Sequence, residues 1–501
     1  MKKYLLILIC LLFLLTRLYK INEIPPSVYW DEVSIGYNAF SLAQDGKDEW
    51  GKFLPIHFRA FGEFKLPVYI YSVVPFVKLF GLNAFSVRFP AVLFSLGAII
   101  ITYLLTKKIF ADEKIALFSA FFLTISPWFF IFSRTCYEAT AGLMFYILGI
   151  YLFLNNTINK WYIFFSIVSF ILSVYSYNSF RVLVPLTIPV LLTIELNNLK
   201  KKDKILPIIL SFILLILSII PIYRLYLYDS GASRLQVVGS PSSTFLKNYL
   251  SHLNLSFLFI SGDKNLRSQQ ANFGQLYLLD VFLLPLGFLY MISKRGKLNY
   301  LILYLLLIAP IPAAITKESP HALRVIALVP ILSIISAIGL INIKRDLPVK
   351  NLIIGGIVLI SLAFFANYFN NFLGVYPTQS SAEWQYGYKK IYTEYAKQFS
   401  EYDQVIISDE YAQPYIFALF YLKYDSNKFR KTVVRNSIDQ WSFSLVSNFD
   451  KFKFGKIKNL VNKDIKNALI FVSEKEKLPT LTPINSIKFL NGEIAFWVYK
   501  I

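Results

Sequence analysis

Long apolar runs separated by short polar stretches set the architecture of this chain. Runs of roughly 17 to 22 residues recur up to about residue 370, each long enough to cross a hydrocarbon core of about 30 Å as a helix. They predict spans at about 4–19, 86–106, 115–133, 137–155, 161–177, 181–196, 205–223, 276–293, 298–315, 322–342 and 351–369. A shorter run, Val68 to Leu79, is broken by Pro75 and stops before Gly81, so it fits an interfacial helix better than a crossing. Beyond about residue 372 the long runs cease and an α/β pattern follows. It predicts helices at 384–399 and near 413–423, and strands at Gln404–Ser408, 468–473 and 494–500. The expected class is an α-helical polytopic membrane protein of about 11 transmembrane helices with a smaller α/β domain. Residues 1–371 form the membrane domain, including outer loops 20–85 and 224–275, and residues 372–501 form the second domain.

Composition agrees with that reading. Hydrophobic residues make up 56% of the 501 positions and charged ones 16%, against about 25% charged in a soluble chain. A net charge of +21 would suggest nucleic acid in a soluble protein. Here the basic residues gather in loops: Lys2-Lys3, Lys107-Lys108 with Lys114, Lys160, Lys200 to Lys204, Lys294-Arg295-Lys297, and Lys344-Arg345 with Lys350. These fall on every second loop, the pattern of cytoplasmic connections, so no nucleic-acid partner is expected. The N-terminus is then cytoplasmic and the C-terminal domain extracytoplasmic, in the cytoplasmic membrane. Lys2-Lys3 before Tyr4 to Leu15 is followed by Arg17, Leu18, Tyr19 and Lys20 rather than a small-residue cleavage site, which predicts a retained first span. Cys10 and Cys136 supply neither a disulfide framework nor metal spacing, and three scattered histidines make no zinc motif.

Candidate chemistry lies in the expected outer loops. Asp31 and Glu32 form a carboxylate pair after span one. Such a pair can serve as general base, hold a divalent metal, or cap an interfacial helix. Asp48-Glu49, His57, Arg59, Glu63 and Lys65 share its loop; Lys65 can meet a lipid phosphate or simply snorkel. Glu138 starts span four, where a helix dipole favours an anion. Arg134, Arg181, His321 and Arg324 form a cationic set suited to phosphate or pyrophosphate. His321 and Arg324, three apart, are expected on one helix face entering span ten. The tail has no glycine-rich phosphate loop.

The chain resembles the bacterial and archaeal branch of the protein O-mannosyltransferase and aminoarabinose transferase family, membrane glycosyltransferases of the GT-C type. The resemblance rests on Trp30-Asp31-Glu32 with Gly36-Tyr37, Gly46-Lys47-Asp48-Glu49-Trp50-Gly51 and Phe61-Gly62-Glu63-Phe64-Lys65-Leu66-Pro67. Val87-Arg88-Phe89-Pro90, Ser133-Arg134 with Glu138, and Pro320-His321-Ala322-Leu323-Arg324 continue it. It implies transfer of a sugar from a polyprenyl-phosphate donor to a protein, lipid or glycan on the outer membrane face. It also implies Asp31 as base, Glu32 as its neighbour, and Glu138 as a second acid where relatives often carry aspartate. Lys65, Arg134, Arg181, His321 and Arg324 become donor-phosphate contacts, and Tyr37, Glu63, Tyr177 and Asn178 substrate contacts. No cofactor is required, although a divalent metal fits the same acids. Competing readings are a metal-dependent oligosaccharyltransferase or glycan polymerase with a pyrophosphate donor, and a lipid or sugar transporter or flippase. Ionisable groups at span ends, with no apparent repeat, weigh against transport.

Overall fold

The computed structural model describes residues 2–61, 63–228, 238–294, 296–343, 349–436, 446–462 and 465–501. Arg295, Lys344 and Arg345 of the charge pattern lie outside them, as does the side chain of Glu63. The chain packs into two units, Met1–Tyr19 with Ala91–Asn371, and Lys20–Pro90 with Phe372–Ile501. This differs from the expected division, which kept the first outer loop with the membrane domain.

The first unit is helical. Each of the eleven expected spans contains a helix. By length and composition, five described helices can each cross a bilayer: Ala84–Phe110, Phe180–Leu199, Lys202–Leu227, Lys297–Ala314 and Lys350–Gly374. Glu113–Ile125 with Pro127–Arg134, bent by 62°, makes a sixth candidate. Tyr4–Leu18, Ala139–Leu154, Tyr162–Val174, Asp280–Ser293 and Leu328–Ile341 are apolar but shorter. Glu113–Ile125 begins where the Asp112 side chain accepts from the amides of Lys114 and Ile115, a conventional N-cap. Ser126 and Pro127 then break it and start the next turn. Small residues let neighbours approach. A Cβ on Gly339 would lie 2.0 Å from the Leu283 carbonyl oxygen, so Leu328–Ile341 and Asp280–Ser293 can pack closely only with glycine there.

Arg17 is fully buried within the first helix. Its guanidinium donates to Ser133 Oγ at 2.9 Å, Thr16 Oγ1 at 2.9 Å and the Thr124 carbonyl at 2.7 Å. It also lies 4.2 Å from the Phe130 ring centroid. These contacts replace part of the hydration that a buried cation loses.

The second unit joins the first loop to the tail around a seven-stranded mixed sheet, order β4-β5-β6-β3-β7-β9-β8. Its strands are β3 Gln404–Ser408, β4 Val434–Arg435, β5 Val446–Phe449, β6 Phe452–Gly455, β7 Ala468–Ser473, β8 Asn485–Lys488 and β9 Ile494–Lys500. β3 runs parallel to β6 and β7; the remaining pairings are antiparallel. Ile406, Ile470, Val472 and Tyr499 contribute to its core. The three strands expected from the sequence are the long, apolar β3, β7 and β9. The four missed ones are short or carry polar residues at alternate positions.

The loop enters this unit through the helix Trp30–Asp45. Asp31 and Glu32 stand in its first turn, where the dipole favours acids, and Gly46 closes it in the left-handed conformation with φ 76°. A Cβ on Gly36 would sit 2.8 Å from both Phe420 and Val87. Any larger residue there would force the Phe420 ring and the Val87 methyl to shift. A two-stranded ribbon, β1 Phe58–Ala60 and β2 Glu63–Lys65, follows. Pro67 then opens the helix Pro67–Phe80 at a position where its missing amide is harmless.

Candidate functional site

The adjacent acids of the Trp30–Asp45 helix have different partners. Glu32 is buried and meets Arg88 through two hydrogen bonds of 3.0 Å, Nε to Oε1 and Nη2 to Oε2. Arg88 is itself buried and spends its other N–H groups on the carbonyls of Ile21 at 2.8 Å and Ser27 at 2.6 Å. This planar two-point pairing fixes the helix start against the chain that leads into it. Asp31 is half-buried; its Oδ1 pairs with the Lys65 ammonium and its Oδ2 accepts from Trp30 Nε1 at 3.1 Å. One acid is thus locked on a buried guanidinium, while its half-buried neighbour meets a lysine and the Trp30 indole.

Tyr37, expected as a substrate contact, is wholly buried and donates to the Tyr424 carbonyl at 3.1 Å. It packs edge-on against Phe429, tying loop to tail. Three residues outside the expected set complete these surroundings. Glu49 is 1% exposed, and neither carboxyl oxygen has a hydrogen-bond partner among the described residues. Burial pushes its carboxyl up to about 8, with Arg435 opposing and Asp48 reinforcing the shift. Arg435 stacks 3.8 Å from the Trp50 ring centroid and donates to the Glu49 carbonyl at 3.1 Å. Arg430 pairs with Asp45 and donates to Ser41 Oγ at 2.9 Å. Asp48-Glu49 and Arg88 stood within the quoted motifs. Arg430 and Arg435, nearly 400 positions away, left no mark in the pattern.

In the first unit the cations also divide. Arg134 is buried, and its guanidinium donates to the carbonyls of Thr16 at 3.0 Å and Tyr19 at 2.9 Å, a clamp on the end of the first helix. Glu138 is half-buried and immediately precedes the helix Ala139–Leu154 without capping it through its side chain. Tyr177 is half-buried and Asn178 exposed in the turn before Phe180–Leu199. Arg181, in the first turn of that helix, donates to Tyr226 Oη at 3.3 Å, while its Nε and Nη2 are buried without a partner among the described residues. Ser179 donates to the Arg324 carbonyl at 2.9 Å, bringing this turn to the segment that carries Arg324.

That segment corrects one expectation. Residues 321–327 are turns, and the helix starts at Leu328, so His321 and Arg324 do not share a helix face. The amides of His321 and Ala322 are instead taken by His252 Nε2 at 3.1 Å and Asp263 Oδ2 at 2.8 Å. His321 and Arg324 nevertheless meet one anion: Glu318 Oε2 lies 3.7 Å from His321 Nε2 and 3.1 Å from Arg324 Nη2. A carboxylate shared by an arginine and a histidine marks a place where another anion can compete. His252 and Asp263 have no motif, and sequence reasoning missed both.

The chain is similar to known proteins in part of its sequence and in its fold. The family profile for dolichyl-phosphate-mannose-protein mannosyltransferase matches residues 65–223, from Lys65 through the turns bearing Glu138 and Arg181. Apo ArnT from Cupriavidus metallidurans superposes with a TM-score of 0.67 at 10% identity, covering 98% of this chain and 97% of that one. Its form bound to undecaprenyl phosphate gives 0.67 at 11% identity with the same coverage. Apo oligosaccharyltransferase from Archaeoglobus fulgidus gives 0.52 at 14% identity, covering 84% of this chain and 64% of that one. No curated protein sequence matches the chain. The chain therefore shares the fold of ArnT over nearly its whole length, with helices long and apolar enough to cross a membrane, and within it residues 65–223 match the dolichyl-phosphate-mannose-protein mannosyltransferase profile.

Proposed function

We propose that this protein transfers a sugar from a polyprenyl-phosphate donor to an acceptor hydroxyl on the outer face of the cytoplasmic membrane. The observation that carries the proposal is the Asp31–Lys65 pair, set beside a Glu32–Arg88 pair that cannot move without leaving buried charge. Only Asp31 is placed to exchange partners. The likeness to ArnT bound to undecaprenyl phosphate supports the choice of donor.

In the proposed reaction a phosphate oxygen of the donor draws Lys65 away from Asp31. Asp31, relieved of its counter-charge, becomes the stronger base and takes the proton of the acceptor hydroxyl. The hydroxyl oxygen bonds to the anomeric carbon from the side opposite the phosphate, the carbon–oxygen bond to phosphate breaks, and polyprenyl phosphate leaves. Lys65 neutralises the charge that grows on the departing oxygen. Arg181 and Arg324 offer a separate proposed anion site, with unpartnered N–H groups at Arg181 and a displaceable carboxylate at Arg324. No step passes through a metal.

Single-turnover transfer from radiolabelled polyprenyl-phosphate sugar tests the scheme. Asp31→Asn is expected to lose roughly 100- to 10,000-fold in rate with donor binding retained. Wild-type turnover in that variant would remove Asp31 as base. A metal-dependent oligosaccharyl transfer, the second reading, is favoured by the likeness to the Archaeoglobus enzyme. Loss of turnover on chelation, restored by added divalent cation, would select it instead.

A further inference from the structure

His252 and Asp263 lie on the loop between the helices Phe245–Ser251 and Asp280–Ser293, with 0% and 8% of their surface exposed. His252 Nδ1 lies 2.9 Å from the Asn248 carbonyl, and Nε2 accepts the amide of His321 at 3.1 Å. The ring must therefore be neutral, with its proton on Nδ1. Asp263 uses both oxygens as acceptors, Oδ1 from the Asn265 amide at 2.9 Å and Oδ2 from the Ala322 amide at 2.8 Å. Two consecutive amides of one irregular segment are thus gripped by side chains from a single loop. The same segment is held by Trp128 Nε1, donating to the Ala322 carbonyl at 3.1 Å, and by Ser179 on the Arg324 carbonyl. Asn248, which anchors His252, also donates to the carbonyls of Ala314 at 3.2 Å and Thr316 at 3.0 Å. Thr316 Oγ1 in turn accepts from Arg324 Nη1 at 2.7 Å. The grip on the backbone and the grip on the guanidinium therefore return to the same residues.

We propose that His252 and Asp263 are positioning residues that aim the Arg324 guanidinium at a lipid phosphate bound at the anion site it offers with Arg181. The proposal rests on the reading of Arg324 as a phosphate contact. Without these two acceptors the amides of His321 and Ala322 would be free to start the following helix early. Arg324 would then turn with that helix and leave Thr316. The fold meets this by holding the turn before the helix from a distant loop.

Acid gives a readout that mere structural support would not move. Burial, helped by Arg324, holds His252 below its ordinary value, against the opposing effect of the Asn248 and Tyr249 carbonyls. Asp263 and His321 grip or belong to the same segment, Glu318 bridges to Arg324, and Phe257 covers the ring edge-on at 6.1 Å. Protonation at Nε2 abolishes the acceptor for His321, so the clamp opens as pH falls below 6.5 and through the lowered value. Glutamine at this position can accept from His321 and donate to Asn248 without titrating.

The test uses the full chain in lipid nanodiscs with undecaprenyl phosphate as probe, and hydrogen exchange of the peptide spanning residues 319–324. His252→Ala and Asp263→Ala are each expected to raise Kd about tenfold, the cost of one lost hydrogen bond to an ordered group. Both should also lose amide protection in that peptide. The tenfold effect should vanish in an Arg324→Ala background. His252→Gln should bind like the wild type at neutral pH and lack the acid weakening. Losses that simply add to that of Arg324→Ala, or unchanged exchange in both alanine variants, would overturn the proposal. Should Arg324→Ala itself bind as tightly as the wild type, the phosphate reading fails and the proposal falls with it, whatever the exchange shows. Loss of exchange protection in that case would identify a clamp with no role in donor binding.

Discussion

Glu32 meets Arg88 through two hydrogen bonds with neither side chain exposed, whereas Asp31 next to it is half-buried and meets Lys65 and the Trp30 indole. Removing one member of the buried pair should be costly: Arg88→Ala is expected to destabilise the protein by about 3–5 kcal/mol, read as a lower Tm in detergent. The sequence marked both acids but could not separate them, because their difference is made by partners 34 and 56 positions away. The same limit applies to the cations. Arg134, expected as a phosphate contact, donates to backbone carbonyls in the structure, a set of contacts that no charge pattern reveals. Glu318 shows the opposite case, an exposed carboxylate shared between His321 and Arg324. An exposed pair of this kind contributes at most about 1 kcal/mol. Glu318→Gln should therefore tighten undecaprenyl phosphate binding by up to about fivefold, and weaker binding would remove Glu318 as a competitor for the anion.

Among the elements, periodicity located the long ones well and lost those whose partners are remote. Every expected span contains a helix, and β3, β7 and β9 were legible as apolar runs. The start of Leu328–Ile341 was not, because the six residues before it look apolar enough to be helical and are held in turns by His252, Asp263, Trp128 and Ser179. The Trp30–Asp45 helix depends on Gly36 for its contact with Pro414–Tyr421. Gly36→Leu should overpack that contact, at a cost of about 1–3 kcal/mol, and lower Tm and turnover together. Glu49, just beyond this helix, supplies a pH signature. Its folded value of about 8 lies above the ordinary 4.5, so the folded state binds the extra proton between these values. Stability should then fall as pH rises from 4.5 to 8 and level off above it. Glu49→Gln should flatten that slope in Tm measured against pH; an unchanged slope would assign it to other groups.

For the whole molecule, the apolar runs conveyed a membrane protein with an α/β tail, and the motif order conveyed a resemblance that agrees with the fold shared with ArnT. They did not convey that the first loop and the tail form one unit, since nothing in either segment names the other. That pairing is made by side chains such as Tyr37, whose hydroxyl reaches the Tyr424 carbonyl 387 positions later. Its consequence lies in the order of synthesis. The loop bearing Asp31 emerges from the ribosome before the helices of the first unit, yet the surface that covers its helix is translated after them. Throughout elongation the apolar flank of Trp30–Asp45 waits uncovered, and the ion pairs of Asp45 with Arg430 cannot form. Activity should therefore appear only once nearly the entire polypeptide is made. A chain ending at residue 371 should insert its helices and yet be inactive, and co-expressing residues 372–501 as a separate, co-localised fragment should restore measurable transfer.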